Sequence, residues 1–180
     1  AFMARKTWLP PVLIGLFYFL IQLSFIGDYG VTWDEPLHRN WGKLFTLFWQ
    51  TGDFEAITMM PGKGMYYGPL YYFVNYLLSE WLFQSGRMEF VQANHLLNLL
   101  SASVGVGLVY LLGKTVGGWR MAVSAVVFFV LFPQLIAHAH YNPKDIPLMV
   151  GVLAVSLVFL RALQKHSSKS SSCPDLLQRT

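Results

Sequence analysis

The stretch Gly68-Pro69-Leu70-Tyr71-Tyr72-Phe73-Val74-Asn75-Tyr76-Leu77-Leu78-Ser79-Glu80-Trp81-Leu82-Phe83 decides the fold of this chain. If it crosses a membrane, the acidic segments before and after it fall on opposite sides of the bilayer; otherwise they share one side. Its polar residues follow the i, i+3, i+4, i+7, i+8 spacing of one helical face, which is typical of an amphipathic helix. We therefore predict a helix lying along the membrane interface, with a short tilted span as the alternative. The polar face comprises Tyr72, Asn75, Tyr76, Ser79 and Glu80.

The composition of the whole chain indicates a membrane protein. Hydrophobic residues make up 54% of its 180 residues, charged residues only 12%, and the mean hydropathy is +0.44. These values exclude an ordinary soluble domain. The net charge of +4 does not predict a nucleic-acid partner, because the basic residues flank apolar segments and do not cluster with aromatic residues. The single cysteine, Cys173, excludes an internal disulfide and a cysteine metal cage.

Four apolar stretches approach the roughly 20 helical residues that a hydrocarbon core of about 30 Å requires. They are residues 8–26, 90–112, 121–137 and 146–163. We predict an all-α integral membrane protein whose membrane domain, residues 1–165, has four transmembrane helices. The external loop, residues 27–89, holds two interfacial amphipathic helices, of which the first begins near Asp34 and ends near Gly52. Residues 166–180 are polar and low in complexity, so we expect a disordered tail.

The basic residues predict the orientation of these spans. Four spans place eight basic residues inside and five outside, whereas five spans would reverse the balance to four inside and nine outside. The positive-inside tendency therefore favours four spans with a cytoplasmic N-terminus. The inside set is Arg5, Lys6, Lys114, Arg120, Arg161, Lys165, Lys169 and Arg179; the outside set is Arg39, Lys43, Lys63, Arg87 and Lys144.

Two acidic motifs in the predicted outer loops form the candidate site. The first is Thr32-Trp33-Asp34-Glu35-Pro36 and the second is Tyr141-Asn142-Pro143-Lys144-Asp145. Because a carboxylate facing lipid is costly, acids at the mouths of membrane helices indicate an aqueous site. Each acid also has a structural interpretation: Asp34 could cap a helix, Thr32 and Glu35 could form a capping box, and Asp145 could begin a helix.

Two histidines lie beside the second acidic motif. His138 and His140 could bind a divalent metal ion or transfer a proton. Further polar residues, Asn94, Asn98 and Ser101, repeat on one face of the outer half of the second predicted span. We expect that face to meet protein or water and not lipid.

In these motifs the chain resembles the GT-C glycosyltransferases, multi-spanning membrane enzymes that use a sugar carried on a polyprenyl phosphate. It is similar to the protein O-mannosyltransferases and the lipid A aminoarabinose transferases. The resemblance rests on Trp33-Asp34-Glu35, on Gly68-Pro69-Leu70 and on the run from Phe132 to Pro147, and covers roughly residues 8–163. Members of that family have more spans. The resemblance therefore implies an N-terminal portion or a truncated product, which a C-terminal half or a partner subunit would complete.

The resemblance also implies a reaction and its residues. Asp34 matches the general base, Glu35 the second member of the acidic pair, and Asp145 the acid of the second external loop. The base would take a proton from an acceptor hydroxyl on a protein, lipid or glycan as that oxygen attacks the sugar carbon. External cations would stabilise the leaving lipid phosphate. The candidate substrate-binding residues are Arg39, Lys63, Arg87, Lys144, Tyr141 and Asn142.

The implied location is a bacterial inner membrane, with the acidic loops extracytoplasmic and membrane lipid as a further partner. The alternative from another class is a noncatalytic multi-pass membrane assembly protein or lipid-binding protein, in which the acids only cap helices.

Overall fold

The structure, a computed structural model, describes residues 8–60, 66 and 68–170. Within these ranges the chain is helical and contains no strand, which confirms the all-α prediction. In chain order the helices are α1 (Leu9–Ser24), α2 (Glu35–Thr51), α3 (Glu55–Thr58), α4 (Pro69–Gln84), α5 (Phe90–Val130), α6 (Pro133–Tyr141) and α7 (Asp145–Ser170).

Proline and glycine set several helix boundaries. Helices α1, α2, α4 and α6 each carry a proline at their first or second position, where the missing N–H has no intrahelical partner to lose. Gly52 ends α2 and Gly68 precedes α4, with φ angles of 70° and 65° that favour glycine. The predictions of a helix ending near Gly52 and of a helix over residues 68–83 are therefore confirmed.

Helix α5 is a hairpin of two helical segments. Gly117 and Gly118 have non-helical backbone angles, and the φ of 77° at Gly118 requires a residue without a side chain. The chain folds back after this pair, since a Cβ on Gly113 would come within 2.7 Å of the Ala122 Cα. We call the segments α5a, residues 90–116, and α5b, residues 119–130.

The core of the bundle follows α5a, on which α1 and α7 both pack. Leu99, Ala102 and Val106 of α5a are completely buried. Gly15 of α1 lies directly against the backbone carbonyl of Ser103, which is the close approach that small residues permit between helices.

Among the residues that the structure describes, two helices are long and apolar enough to cross a membrane, namely Phe90–Val130 and Asp145–Ser167 within α7, so the prediction of four spans is not confirmed. Helix α1 is apolar but has only 16 residues. The segment 121–137, predicted as one span, is not one helix, because α5b ends at Val130 and Pro133 begins α6. A proline cannot donate to the preceding turn, so it favours a new helix start.

The C-terminal prediction also needs correction. Helix α7 continues to Ser170, so residues 166–170 of the predicted disordered tail are helical. Residues 171–180 of that tail lie outside the described part of the chain.

Helix α4 turns its polar face towards the protein. It packs antiparallel to α5a: the Phe83 and Phe90 rings lie 5.6 Å apart near one end, while the Tyr71 hydroxyl donates to Asn98 Oδ1 at 2.9 Å towards the other. The prediction therefore identified the residues of the polar face correctly. It placed this helix along the membrane interface, but in the structure its polar face packs against the protein. Its buried members are Tyr72, Asn75 and Ser79, and the exposed face of α4 carries Leu70, Val74, Leu77 and Trp81.

Candidate functional site

Both acidic motifs lie near one buried histidine of α2. Burial lowers the pKa of His38; the charges of Asp34, Glu35 and Asp145 act to raise it, and that of Lys144 acts to lower it. The His95 ring, which pairs with Glu35 of the first motif, lies 6.4 Å from the ring of His140, two residues before Asn142 of the second motif, so the two motifs lie at the same end of the bundle. This common location is the geometric condition that a shared site requires.

Glu35 anchors the first motif inside the protein. Its side chain is only 3% exposed, and its Oε1 lies 2.6 Å from Nε2 of His95, which is completely buried in α5a. The second oxygen, Oε2, accepts the backbone N–H of Thr32 at 3.0 Å. This bond is one half of the predicted capping box. Both carboxylate oxygens are thus engaged, which a buried carboxylate requires, and Glu35 fixes the start of α2 to α5a.

Asp34 has a different environment from its neighbour. It is half-buried and occupies the position before α2, yet within the described residues its side chain makes no capping hydrogen bond to the helix. Its Oδ1 accepts a hydrogen bond from the Thr32 hydroxyl at 2.9 Å. Thr32 therefore links the two acids, because its amide binds Glu35 and its hydroxyl orients Asp34. The arrangement leaves Asp34 at the edge of the protein, where a substrate could reach it.

Asn142 organises the second motif. Its Oδ1 accepts the backbone N–H groups of Lys144 at 3.1 Å and Asp145 at 2.8 Å. Its Nδ2 donates to Asp145 Oδ2 at 2.9 Å and to His138 Nδ1 at 2.9 Å. Asn142 was predicted to bind substrate. In the structure it accepts the backbone amides just before and at the start of α7, and it binds the exposed carboxylate of Asp145 in the first turn.

The two histidines predicted as metal ligands have separate partners. His140 is completely buried, stacks on Tyr29 with ring centroids 3.9 Å apart, and places Nε2 3.1 Å from Gln22 Oε1. Burial, together with the nearby His95, lowers the pKa of His140 to about 4. His140 therefore links α6 to α1 as a neutral side chain.

His138 takes no part in that contact. Apart from its bond with Asn142, its ring lies 5.7 Å from that of Tyr141, another predicted substrate-binding residue. In the described residues, no group of three or more His, Cys, Asp or Glu side chains is arranged to hold a metal ion. The positions of His138 and His140 are thus explained by local and core packing.

A cavity of about 320 Å³ opens beside the first motif. It combines the positive charges of Arg39 and Lys43 with an apolar wall and the Glu35 side chain. The Arg39 guanidinium lies 4.1 Å from the centroid of the Phe90 ring and also pairs with Glu80. Such a cavity suits an anionic group that carries an apolar chain. Its other lining residues are Val31, Pro36, Asn40, Tyr76, Val91 and Asn94.

The remaining predicted cations are dispersed. Arg87 is exposed and lies over the Trp81 ring at 4.5 Å, Lys144 is close enough to influence His38, and Lys63 lies outside the described residues. Lys43 was not among the predicted ligands, although its i, i+4 spacing from Arg39 could have identified it. His95 and Tyr29 join the site through contacts between distant segments, which sequence spacing does not reveal.

The fold and this polar end define an all-α protein with membrane-length helices and an acidic, partly cationic site at one end of the bundle. Comparison with family models, curated proteins and solved structures found no match for the chain. The assignment of a function therefore rests on the residues and their geometry.

Proposed function

We propose that this chain is a membrane glycosyltransferase, or the N-terminal portion of one. It moves a sugar from a polyprenyl phosphate to an acceptor hydroxyl on the extracytoplasmic side. The observation that supports this best is the location of the Asp34 and Asp145 motifs at one end of the bundle, linked through Glu35, His95 and His140, beside a cavity with two cations. The reaction needs a carboxylate base to take the acceptor proton and cations to stabilise the lipid phosphate.

In the proposed reaction Asp34 is the general base. Its carboxylate takes the proton of the acceptor hydroxyl while that oxygen forms a bond to the anomeric carbon. The bond from that carbon to the phosphate oxygen breaks, and the polyprenyl phosphate leaves with the electron pair, so the anomeric carbon is inverted. Arg39 and Lys43 in the cavity stabilise the charge that develops on the phosphate, and Phe90 contacts the lipid chain. Glu35 and Thr32 are positioning residues for the base.

The proposed membrane arrangement has four crossings, at residues 8–26, 90–112, 121–137 and 146–163. They take in α1, α5a, the segment from α5b to the start of α6, and α7. Several basic residues gather at the end opposite the acids. Gln164 donates to the Thr115 carbonyl at 3.0 Å and the Arg161 guanidinium lies 5.4 Å from the Trp8 ring, so these parts of α7, α5a and α1 meet there. This separation supports a cytoplasmic basic end and an extracytoplasmic acidic end.

The decisive test of the reaction is Asp34→Asn. The amide retains the size of the side chain but cannot act as the base, so we expect sugar transfer to fall by at least about 100-fold. The matched control is Asp53→Asn in the same loop, because Asp53 is exposed and its carboxylate accepts the Glu55 amide. The measurement is transfer of labelled sugar from undecaprenyl phosphate mannose and undecaprenyl phosphate aminoarabinose in membrane vesicles. Equal transfer by Asp34→Asn and the unchanged protein would reject the assigned role.

The arrangement in the membrane is tested separately, by labelling single cysteines with an impermeant reagent in intact cells after Cys173 is replaced. We expect Thr32→Cys and Tyr141→Cys to be labelled and Thr115→Cys to be protected. Labelling of positions 32 and 141 from opposite sides would exclude a shared site for the two acids.

A noncatalytic membrane assembly or lipid-binding protein is the second candidate. Two hydrogen bonds favour this candidate, because they show that Glu35 and Asn142 stabilise the fold. Glu35 bonds to His95, and Asn142 bonds to the backbone at the start of α7. This candidate predicts no transfer from either donor and an Asp34→Asn variant that behaves as the unchanged protein does.

A further inference from the structure

A second cavity runs along the bundle to the end opposite the acids. It is an apolar groove of about 390 Å³ between α1 and α5a. Its walls are formed by Val12 and Leu16 from α1 and by Leu100 and Val104 from α5a, all of which remain exposed. The apolar walls of the groove suit an extended hydrocarbon chain, because covering apolar surface lowers the free energy.

A fixed positive charge stands at one end of this groove. Trp8 lines the groove there, and the guanidinium of Arg161 on α7 lies 5.4 Å from the centroid of its ring. The hydrogen bond from Gln164 to the Thr115 carbonyl holds this part of α7 against α5a. The groove thus has apolar walls along its length and a cation at its mouth.

We propose that the groove binds an anionic phospholipid, with one acyl chain along α1 and α5a and the headgroup phosphate at Arg161. A planar guanidinium can donate two parallel hydrogen bonds to a phosphate, and the groove lining contains no charged residue that would oppose an acyl chain. A zwitterionic lipid offers the same chains but carries a compensating cation. This site lies away from Asp34, so it does not depend on the proposed transfer reaction.

The test uses Trp8 as a reporter of the groove. The full chain is reconstituted in vesicles of phosphatidylcholine and phosphatidylglycerol, and one lipid at a time carries dibrominated acyl chains that quench tryptophan fluorescence. The chain has six tryptophans, so subtraction of the Trp8→Phe variant isolates the signal of Trp8. Titration of each brominated lipid gives its relative binding constant. We expect phosphatidylglycerol to be preferred about fivefold, as one arginine near a charged lipid provides.

Arg161→Gln should bring this preference close to one, and Arg161→Lys, which keeps the charge, should retain most of it. The matched control is Arg120→Gln, because Arg120 also lies over an exposed tryptophan, Trp119 at 5.7 Å, and neither lines the groove. That variant should keep the preference of the unchanged protein.

Three results would overturn the proposal. Equal quenching by both lipids in the unchanged protein would remove the anionic preference. Loss of the preference in Arg120→Gln as well would assign it to general surface charge. Absence of quenching by either lipid, together with a cross-linked dimer, would show that a second copy of the chain covers the groove.

Discussion

The two acidic motifs are held by different kinds of contact. Glu35 of the first motif meets His95, 60 residues further along the chain, and both side chains are buried. Asp145 of the second motif is exposed and bonded to Asn142, three residues before it. The first motif thus takes its position from a buried side-chain contact between α2 and α5a, whereas the second takes it from its own turn. A buried contact between distant segments makes the position of a loop depend on the tertiary structure. A contact within one turn makes it depend only on the helix that the turn begins.

The largest expected effect comes from breaking the buried contact. Glu35→Ala leaves His95 without its partner in a place that water does not reach. We expect the free energy of unfolding to fall by about 4 kcal/mol. Thermal unfolding of the detergent-purified protein measures this loss. The matched control is Asp145→Ala, for which we expect a loss of less than about 1 kcal/mol because the carboxylate is exposed. Similar losses in the two variants would contradict the distinction between the motifs.

The next effect concerns the buried histidine behind the second motif. The pKa of His140 is about 4 in the folded protein, against an ordinary value of 6.5. The unfolded chain therefore binds more protons between these values. The stability that neutral His140 supports is complete above pH 6.5 and is lost as the pH falls towards 4. The loss should reach about 3 kcal/mol at pH 4.

Unfolding measured between pH 7 and pH 4 tests this dependence. His140→Gln should flatten the pH profile by that amount, because glutamine does not titrate. His138→Gln, two residues earlier on the same helix, is the matched control for the loss of a histidine side chain. A profile that is the same with and without His140 would reject the role of its protonation.

The contrast between local and distant contacts also explains which features the sequence predicts. The end of α2 at Gly52 and the extent of α4 follow from residues within those segments, and both predictions are confirmed. The outer polar residues of α5a were expected to face protein or water, and Asn98 indeed donates to the His140 carbonyl at 3.1 Å inside the bundle. Helical spacing identifies such a face from the sequence.

Spacing does not say what a face will meet. The polar stripe of α4 was used to predict a helix along the membrane interface, and in the structure this stripe faces α2 and α5a, where Asn75 donates to Asn94 Oδ1 at 3.0 Å. The pairing of Glu35 with His95 has no local signal either, because each residue is compatible with several partners. The break at Pro133 within a predicted span arises because proline interrupts a helix, and mean hydropathy does not include this effect. The contacts between residues of distant segments therefore could not be predicted from the sequence and are known only from the structure.

The smallest expected effect comes from the local contact. Asn142→Ala removes the acceptor for two backbone amides at the start of α7, and loss of such a cap costs about 1 kcal/mol. Asn40→Ala, at an exposed position of α2, is the matched control and should cost less than about 0.5 kcal/mol. If the two acidic motifs are held independently, the double variant of Glu35→Ala with Asn142→Ala loses the sum of the single losses to within about 0.5 kcal/mol. A larger deviation would mean that the buried pair and the local turn belong to one network, and the contrast between them would then fail.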